Sequence, residues 1–257
     1  QAVEEKVVVE QQLKEALKQQ QFELHYQFLV NTDECVIGAE ALIRWQHPSK
    51  GLVQPDSFIN LVENMGLIRE LGLWTLRTAC QQLREWQESI YTSDLVLAIN
   101  ISALEFQQDL FVDDVLMIVN EFQVDRSKLK LELTESVILH DINFAIEQIT
   151  RLKEANIFVA MDDFGTGYSS LSYLSQLPLS VVKIDRSFVS RMIDSEYDTA
   201  IIKMIIALGS MLGMDVIAEG VEEKAQFEML KELGCTSFQG YYFSEAVTHY
   251  EYQKLLQ

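Results

Sequence analysis

Two adjacent acids, Asp162 and Asp163, end the apolar run Val159-Ala160-Met161 and lead into Phe164-Gly165-Thr166-Gly167, after which a new helical pattern starts near Ser169. Two carboxylates held near one point repel, and a cation or a shared proton must offset that repulsion. Alone, such a pair reads more simply as two solvated loop acids with helix-capping duty. The rest of the chain reverses that reading, because one apolar run after another ends in a polar group. Leu95-Val96-Leu97-Ala98-Ile99 ends in Asn100, Leu129-Lys130-Leu131 in Glu132, and Val181-Val182-Lys183-Ile184 in Asp185. Asp215-Val216-Ile217-Ala218 ends in Glu219 and Thr236-Ser237-Phe238 in Gln239.

Acids and amides dominate this set, while the four histidines, His25, His47, His140 and His249, end none of these later runs. Oxygen donors without imidazole or thiolate point to Mg²⁺ or Mn²⁺ rather than zinc or copper. The carboxylates suffice for two ions sharing one bridging Asp, a recurrent device for phosphodiester hydrolysis. Lys183 is the cation in this company: it either holds and activates a water beside a metal or balances Asp185 or Asp163. The Gly165-Thr166-Gly167 turn wraps a phosphate, hinges, or merely turns the chain. Ser170 stands where a dinucleotide fingerprint has its third glycine, which discounts a Rossmann reading. Asp163-Phe164-Gly165 spells a kinase tripeptide, but the catalytic-loop signature and glycine-rich loop of a kinase are missing.

The same pattern supplies elements that could bring these residues together. Helical stretches at Phe144 to Ala155, Thr199 to Leu212 and Lys224 to Leu233 lie between the apolar runs, and strands alternating with helices imply parallel strands with crossovers. A (β/α)8 barrel gathers every strand end at one mouth, whereas a doubly wound open sheet would gather only those near its switch point. Upstream, Phe22 to Val30 and Cys35 to Trp45 read as strands joined by a turn at Asn31-Thr32-Asp33. Alternation along the second puts Glu40, Leu42 and Arg44 on one face. Pro48 to Pro55 reads as a loop, followed by helices over Asp56 to Met65, with Asp56 as N-cap, and over Arg69 to Glu88. Val9, Leu13 and Leu17 mark an amphipathic helix within residues 1–20, read as a linker to a preceding segment, with the main domain over 21–257.

The 257 residues, 48% of them hydrophobic, supply ample core for one large barrel. A formal net charge of −19 excludes a DNA or RNA polymer as partner, since polyanion binding rests on Lys and Arg. A small phosphorylated ligand remains compatible if metal ions supply the positive charge. Cys35, Cys80 and Cys235 are odd in number and without a Cys-x-x-Cys pair, which reads as reduced thiols packed in the core of a cytoplasmic protein. No apolar run approaches a membrane span, so this stretch is not expected to insert into a membrane. A first residue of Gln suggests an excised piece of a larger protein, which could carry a membrane tether elsewhere.

The chain resembles the EAL-domain family of cyclic di-GMP phosphodiesterases. The resemblance is carried by Glu40-Ala41-Leu42-Ile43-Arg44-Trp45, Asn100-Ile101-Ser102, Glu132-Leu133-Thr134-Glu135-Ser136, the stretch from Asp162 to Ser170, Val182-Lys183-Ile184-Asp185, Ala218-Glu219-Gly220-Val221-Glu222 and Gln239-Gly240-Tyr241, all in family order. It implies a TIM-like barrel with one strand running against the others, which opens cyclic di-GMP to linear pGpG. By the same resemblance Glu40, Asn100, Glu132 and Asp162 hold one metal, Asp162 bridges, and Asp163 holds the second. Glu219 matches a general base or second-metal ligand, and Lys183 the contact to the catalytic water. Arg44 contacts a substrate phosphate, Gln239 positions the nucleotide or the metal water, Gln27 and Leu42 line the substrate groove, and Glu135 links the metal loop to a dimer interface. The resemblance further implies a homodimer and an upstream sensor or cyclase domain. Where the family commonly has proline, this chain has Phe28 and Ala246, which bears on the groove rather than the metal site. The competing reading is a receptor, or a conditionally inactive enzyme, that binds cyclic di-GMP without cutting it.

Overall fold

Short apolar runs that lack polar alternation form strands buried on both faces, and here they line the inside of a ring of helices. The computed structural model describes residues 2–165 and 174–256, with side chains from Val9 onward except that of Glu10. The helical start expected near Ser169, and Thr166 and Gly167 of the glycine turn, lie outside the described residues.

The strands are β1 (Phe22–Asn31), β2 (Val36–His47), β3 (Gly51–Val53), β4 (Val96–Asn100), β5 (Leu129–Thr134), β6 (Phe158–Phe164), β7 (Val181–Ile184), β8 (Asp215–Ala218), β9 (Ser237–Phe238) and β10 (Val247–Thr248). β2 and β4 through β9 lie side by side in parallel. β1 closes the ring by pairing antiparallel with both β2 and β9. The result is a closed TIM-like barrel of eight strands with one reversed, and the open-sheet alternative falls. β3 and β10 are short antiparallel additions to β2 and β1.

The β1–β2 hairpin fixes the register at the mouth, setting Gln27 opposite Glu40 and Glu23 opposite Arg44. Its turn is held by Asn31, whose side-chain oxygen accepts the N–H groups of Asp33 and Cys35, both at 2.9 Å. Cys35 at this tip is exposed, which corrects the expectation of three core thiols; a hairpin turn projects away from the core that encloses Cys80 and Cys235.

The helices Ile68–Gln87, Phe111–Phe122, Ile142–Glu154, Glu196–Leu212 and Lys224–Glu232 cover the barrel with their apolar faces. Inside the barrel, Leu29, Ala160, Val181 and Ile217 form an apolar plug below the mouth. A second cluster joins Leu13 and Ala16 of the helix Ala2–Lys18 to Phe22, Trp45, Phe58, Val62, Ile68 and Leu71. Two local expectations are corrected. The stretch read as a loop before Pro55 contains β3. Asp56 caps nothing; it lies in a 3-10 turn, Pro55–Ser57, and the α-helix begins only at Ile59 because Phe58 leaves helical geometry to bury its ring. Among the described residues no helix is long and apolar enough to cross a membrane.

Candidate active site

Lys183 stands near the end of β7 and points into the barrel, 1% exposed. Its Nζ lies 2.6 Å from Glu132 Oε2 and from Glu219 Oε1, 3.3 Å from Glu40 Oε2 and 3.5 Å from Asp162 Oδ1. The counter-ions expected from the sequence, Asp185 or Asp163, are not these. Asp185 instead caps the helix Arg186–Val189, accepting the Ser187 N–H at 3.0 Å and the Ser187 hydroxyl.

Glu40 is tied in from three sides. It accepts hydrogen bonds from Asn100 Nδ2 at the end of β4, from Gln239 Nε2 at 2.7 Å and from Lys183. Gln239 also donates to Gln27 Oε1 at 3.0 Å, and Gln27 donates to the Ser244 carbonyl at 3.1 Å. This amide relay runs from the loop after β9 to the carboxylate. Burial alone would push the Glu40 carboxyl up, but Lys183 and the two amides outweigh it and hold it below the usual range. One ammonium does not serve four carboxylates equally. Burial, then the neighbouring Glu40, pushes Glu132 well above its ordinary value despite Lys183, and burial pushes Glu219 to about 8. Burial would lower Lys183 in turn, but its carboxylate neighbours, led by Glu132, hold it well above the ordinary lysine value.

The end of β6 places two acids where a regular strand would place one. Met161 pairs with Val182 and Phe164 with Ile184, so Asp162 and Asp163 together stand opposite Lys183, a bulge. Asp163 has φ +54°, a left-handed conformation that Asp tolerates better than most residues. The bulge overrides strand alternation, and single oxygens of Asp162, Asp163 and Glu219 come within 4.8 Å of one another. Burial, then Asp162 and Asp185, raises the Asp163 carboxyl to about 6. Just beyond, Gly165 at φ +97° donates its N–H to Glu135 Oε2 at 3.1 Å. Glu135, buried at the start of the helix Glu135–His140, thus ties the end of β5 to the end of β6.

Arg44 is buried further along β2, where it donates to the Ile43 carbonyl at 2.9 Å. Burial pulls its guanidinium below the usual range, while Tyr241, Glu40 and Asp56 act against that. Leu42 and Asn100 face a cavity of about 600 Å³, whose walls include Pro55, Ile59, Leu71 and Ile101. Every site residue expected from the sequence therefore stands at or beside the mouth. The amide relay through Gln27 to Ser244 was not foreseen. Nor was Glu105 in the wall of the same cavity, although the spacing Ser102-x-x-Glu105 announces a capping box.

The donor set fits a hard divalent cation. Four carboxylates surround one ammonium, two of them, Asp162 and Glu219, come within ligand reach of Asp163 as well, and neither imidazole nor thiolate takes part in that trio. A closed barrel with such a mouth at the ends of its parallel strands defines the (β/α)8 class. Within that class the chain belongs to the EAL domain family, whose model matches residues 10–246. The bifunctional diguanylate cyclase/cyclic di-GMP phosphodiesterase MucR of Pseudomonas aeruginosa is 42% identical over 230 residues, 89% of this chain and 33% of that protein. The cyclic di-GMP phosphodiesterase NbdA of the same organism is 41% identical over 237 residues, 92% of this chain and 30% of that protein. The solved PaMucR phosphodiesterase in complex with c-di-GMP superposes with a TM-score of 0.91 at 40% identity, covering 94% of this chain and 98% of that one. The chain spans about a third of the length of the curated relatives it matches.

Proposed function

We propose that the chain hydrolyses cyclic di-GMP to linear pGpG with the help of divalent cations, Mg²⁺ or Mn²⁺, at two positions. The observation that carries this reading is the imbalance at the mouth: one ammonium, Lys183, against the buried carboxylates of Glu40 and Glu132 and the partly buried ones of Asp162 and Glu219. Glu40, Asn100, Glu132 and Asp162 would hold one cation; Asp162, Asp163 and Glu219 would hold the other, with Asp162 shared. When bound, such cations polarise the phosphodiester oxygens and lower the pKa of water.

The side chains of the protein do the rest. Arg44 binds a phosphate oxygen through its guanidinium charge. Lys183 donates a hydrogen bond to the attacking water and keeps it in line with phosphorus. Gln239 and Gln27 hold the nucleotide in register with Glu40, and Leu42 offers an apolar wall to a base. Glu135 keeps the Asp163-Phe164-Gly165 turn in place through the Gly165 N–H. Glu219 also remains the candidate general base of the same reading.

The reading includes a homodimer, supported by the outward stripe of Tyr197, Met204 and Met211 on the helix Glu196–Leu212. It also includes a cytoplasmic location and, in the full-length protein, an upstream sensor or cyclase domain. Sedimentation of the purified chain checks the dimer. The activity is tested by incubating the chain with cyclic di-GMP and Mn²⁺ or Mg²⁺ and separating the nucleotides by chromatography, beside an EDTA-treated sample and Glu40→Ala. Formation of pGpG that needs both metal and Glu40 is expected. Nucleotide that binds but stays cyclic under every condition would make the domain a receptor.

A further inference from the structure

We infer that Glu105 is a positioning residue for Asn100, acting through the backbone of Ser102, and that Gly72 exists to admit it. The inference rests on the proposed role of Asn100 in holding a cation. Two residues, Ile101 and Ser102, join Asn100 at the end of β4 to the helix Ala103–Phe106. Asn100, exposed at the mouth, points its amide at Glu40 and is the last residue of β4, in register with Glu132 of β5. Beyond that last ladder pair the chain leaving Asn100 is held through Ile101 and Ser102. The Ile101 N–H donates to the Glu132 carbonyl at 3.0 Å. The Ser102 N–H donates to Glu105 Oε2 at 3.2 Å, and the Glu105 N–H donates to Ser102 Oγ at 3.3 Å, a reciprocal capping box.

Caps on helices are commonly solvent-exposed, but this one is wedged. Glu105 is 9% exposed, and its carboxylate lies against Gly72 in the second turn of the helix Ile68–Gln87, where a methyl group would overlap it. Glycine inside a helix is disfavoured relative to alanine, so the position needs a reason outside the helix. That reason is the carboxylate. The contact transmits the rigidity of a 20-residue helix, through Glu105 and Ser102, to the strand end that carries Asn100.

The test is binding of Mn²⁺ to metal-stripped protein, measured by calorimetry and by the Mn²⁺ electron paramagnetic resonance signal, with a melting curve for each variant. Glu105→Ala is expected to weaken binding by about 10- to 100-fold, the range for outer-shell partners of metal ligands. Glu105→Gln, whose amide oxygen still accepts the Ser102 N–H, is expected to stay within about twofold of wild type. Gly72→Ala should weaken binding as Glu105→Ala does, although alanine is the better helix former. The Gly72→Ala/Glu105→Ala pair should be no worse than Glu105→Ala alone, because the methyl then fills space the carboxylate has left. Wild type that binds Mn²⁺ beside a Glu105→Ala variant that binds it equally well overturns the inference, as does a Glu105→Gln variant that loses as much as Glu105→Ala. Should Glu105→Ala not fold, Glu105→Gln and Gly72→Ala decide. Wild type that binds no Mn²⁺ overturns the premise about Asn100 itself, a distinct result.

Discussion

Glu40 and Asp163 are carboxylates of one site with opposite proton affinities. Glu40, 7% exposed, is held below the ordinary range, while half-buried Asp163 is raised to about 6. Depth would predict the reverse order. Company decides the difference: both are pushed up by burial, but Glu40 receives an ammonium and two amides that outweigh it, whereas Asp162 and Asp185 add to it at Asp163. The barrel therefore keeps its inner acid, Glu40, ionised with its own side chains, whereas burial and neighbouring acids make the outer Asp163 and Glu219 hold their protons more tightly.

Breaking the inner half should have the largest effect. Glu40→Ala removes the hub of the amide relay, and pGpG formation is expected to fall by about a thousandfold or more, the scale of several kcal/mol of lost transition-state stabilisation. Chromatographic rates in saturating Mn²⁺ check this. Lys183→Met leaves the inner carboxylates in the condition of Asp163. Urea unfolding in EDTA is expected to show a loss of about 3 kcal/mol, the low end for an orphaned buried charge because protons can replace the ammonium. Added Mn²⁺ should recover part of that loss in Lys183→Met.

The outer half is sharpened by pH. Asp163 and Glu219 bind protons more tightly in the folded chain, at about 6 and about 8, than their ordinary values of 3.8 and 4.5. Between those values the native state carries more protons than the unfolded one, so stability in EDTA should fall as pH rises from about 4 to about 8. Melting curves across that range check the slope, and saturating Mn²⁺ should flatten it. Asp163→Asn should raise the melting temperature in EDTA at pH 8 while weakening Mn²⁺ binding. The smallest effect belongs to an ion pair outside the comparison. Arg77 and Glu121 meet at 2.7 Å with both side chains exposed, and Arg77→Ala should cost less than about 1 kcal/mol in the same urea experiment.

The barrel was legible because each parallel strand is a short apolar run with a polar terminus, a pattern local enough to read by eye. The bulge at Asp162-Asp163 was not, since it depends on pairing with β7, and neither were the partners of Lys183, which come from β2, β5, β6 and the end of β8. Alternation correctly put Glu40, Leu42 and Arg44 near one another. It gave no sign that Gln27 would reach Gln239, because that contact crosses the closure of the barrel. The start of the helix after Pro55 was misread for a similar reason: Phe58 answers to a core assembled from distant residues, not to its neighbours. Reversal of β1 was stated through the family resemblance, yet its local signature is the short turn at Asn31-Thr32-Asp33, a connection that can join only antiparallel neighbours.

That reversal decides which face of the barrel a neighbour meets. Because β1 runs against the rest, Phe22 pairs with Trp45 on the mouth side of Glu40, and the helix Ala2–Lys18 packs there against the cluster that includes Ile68 and Leu71 of the cavity wall. The helix His249–Leu255 instead leads away from the mouth, with Tyr252 donating to the Gly38 carbonyl beside the start of β4. In engineering terms the two ends are not equivalent attachment points. A light-sensing or ligand-sensing module spliced ahead of Phe22 gains mechanical leverage on the acidic mouth, while a fluorescent reporter or surface anchor belongs after Leu255, where its load is carried by the opposite face.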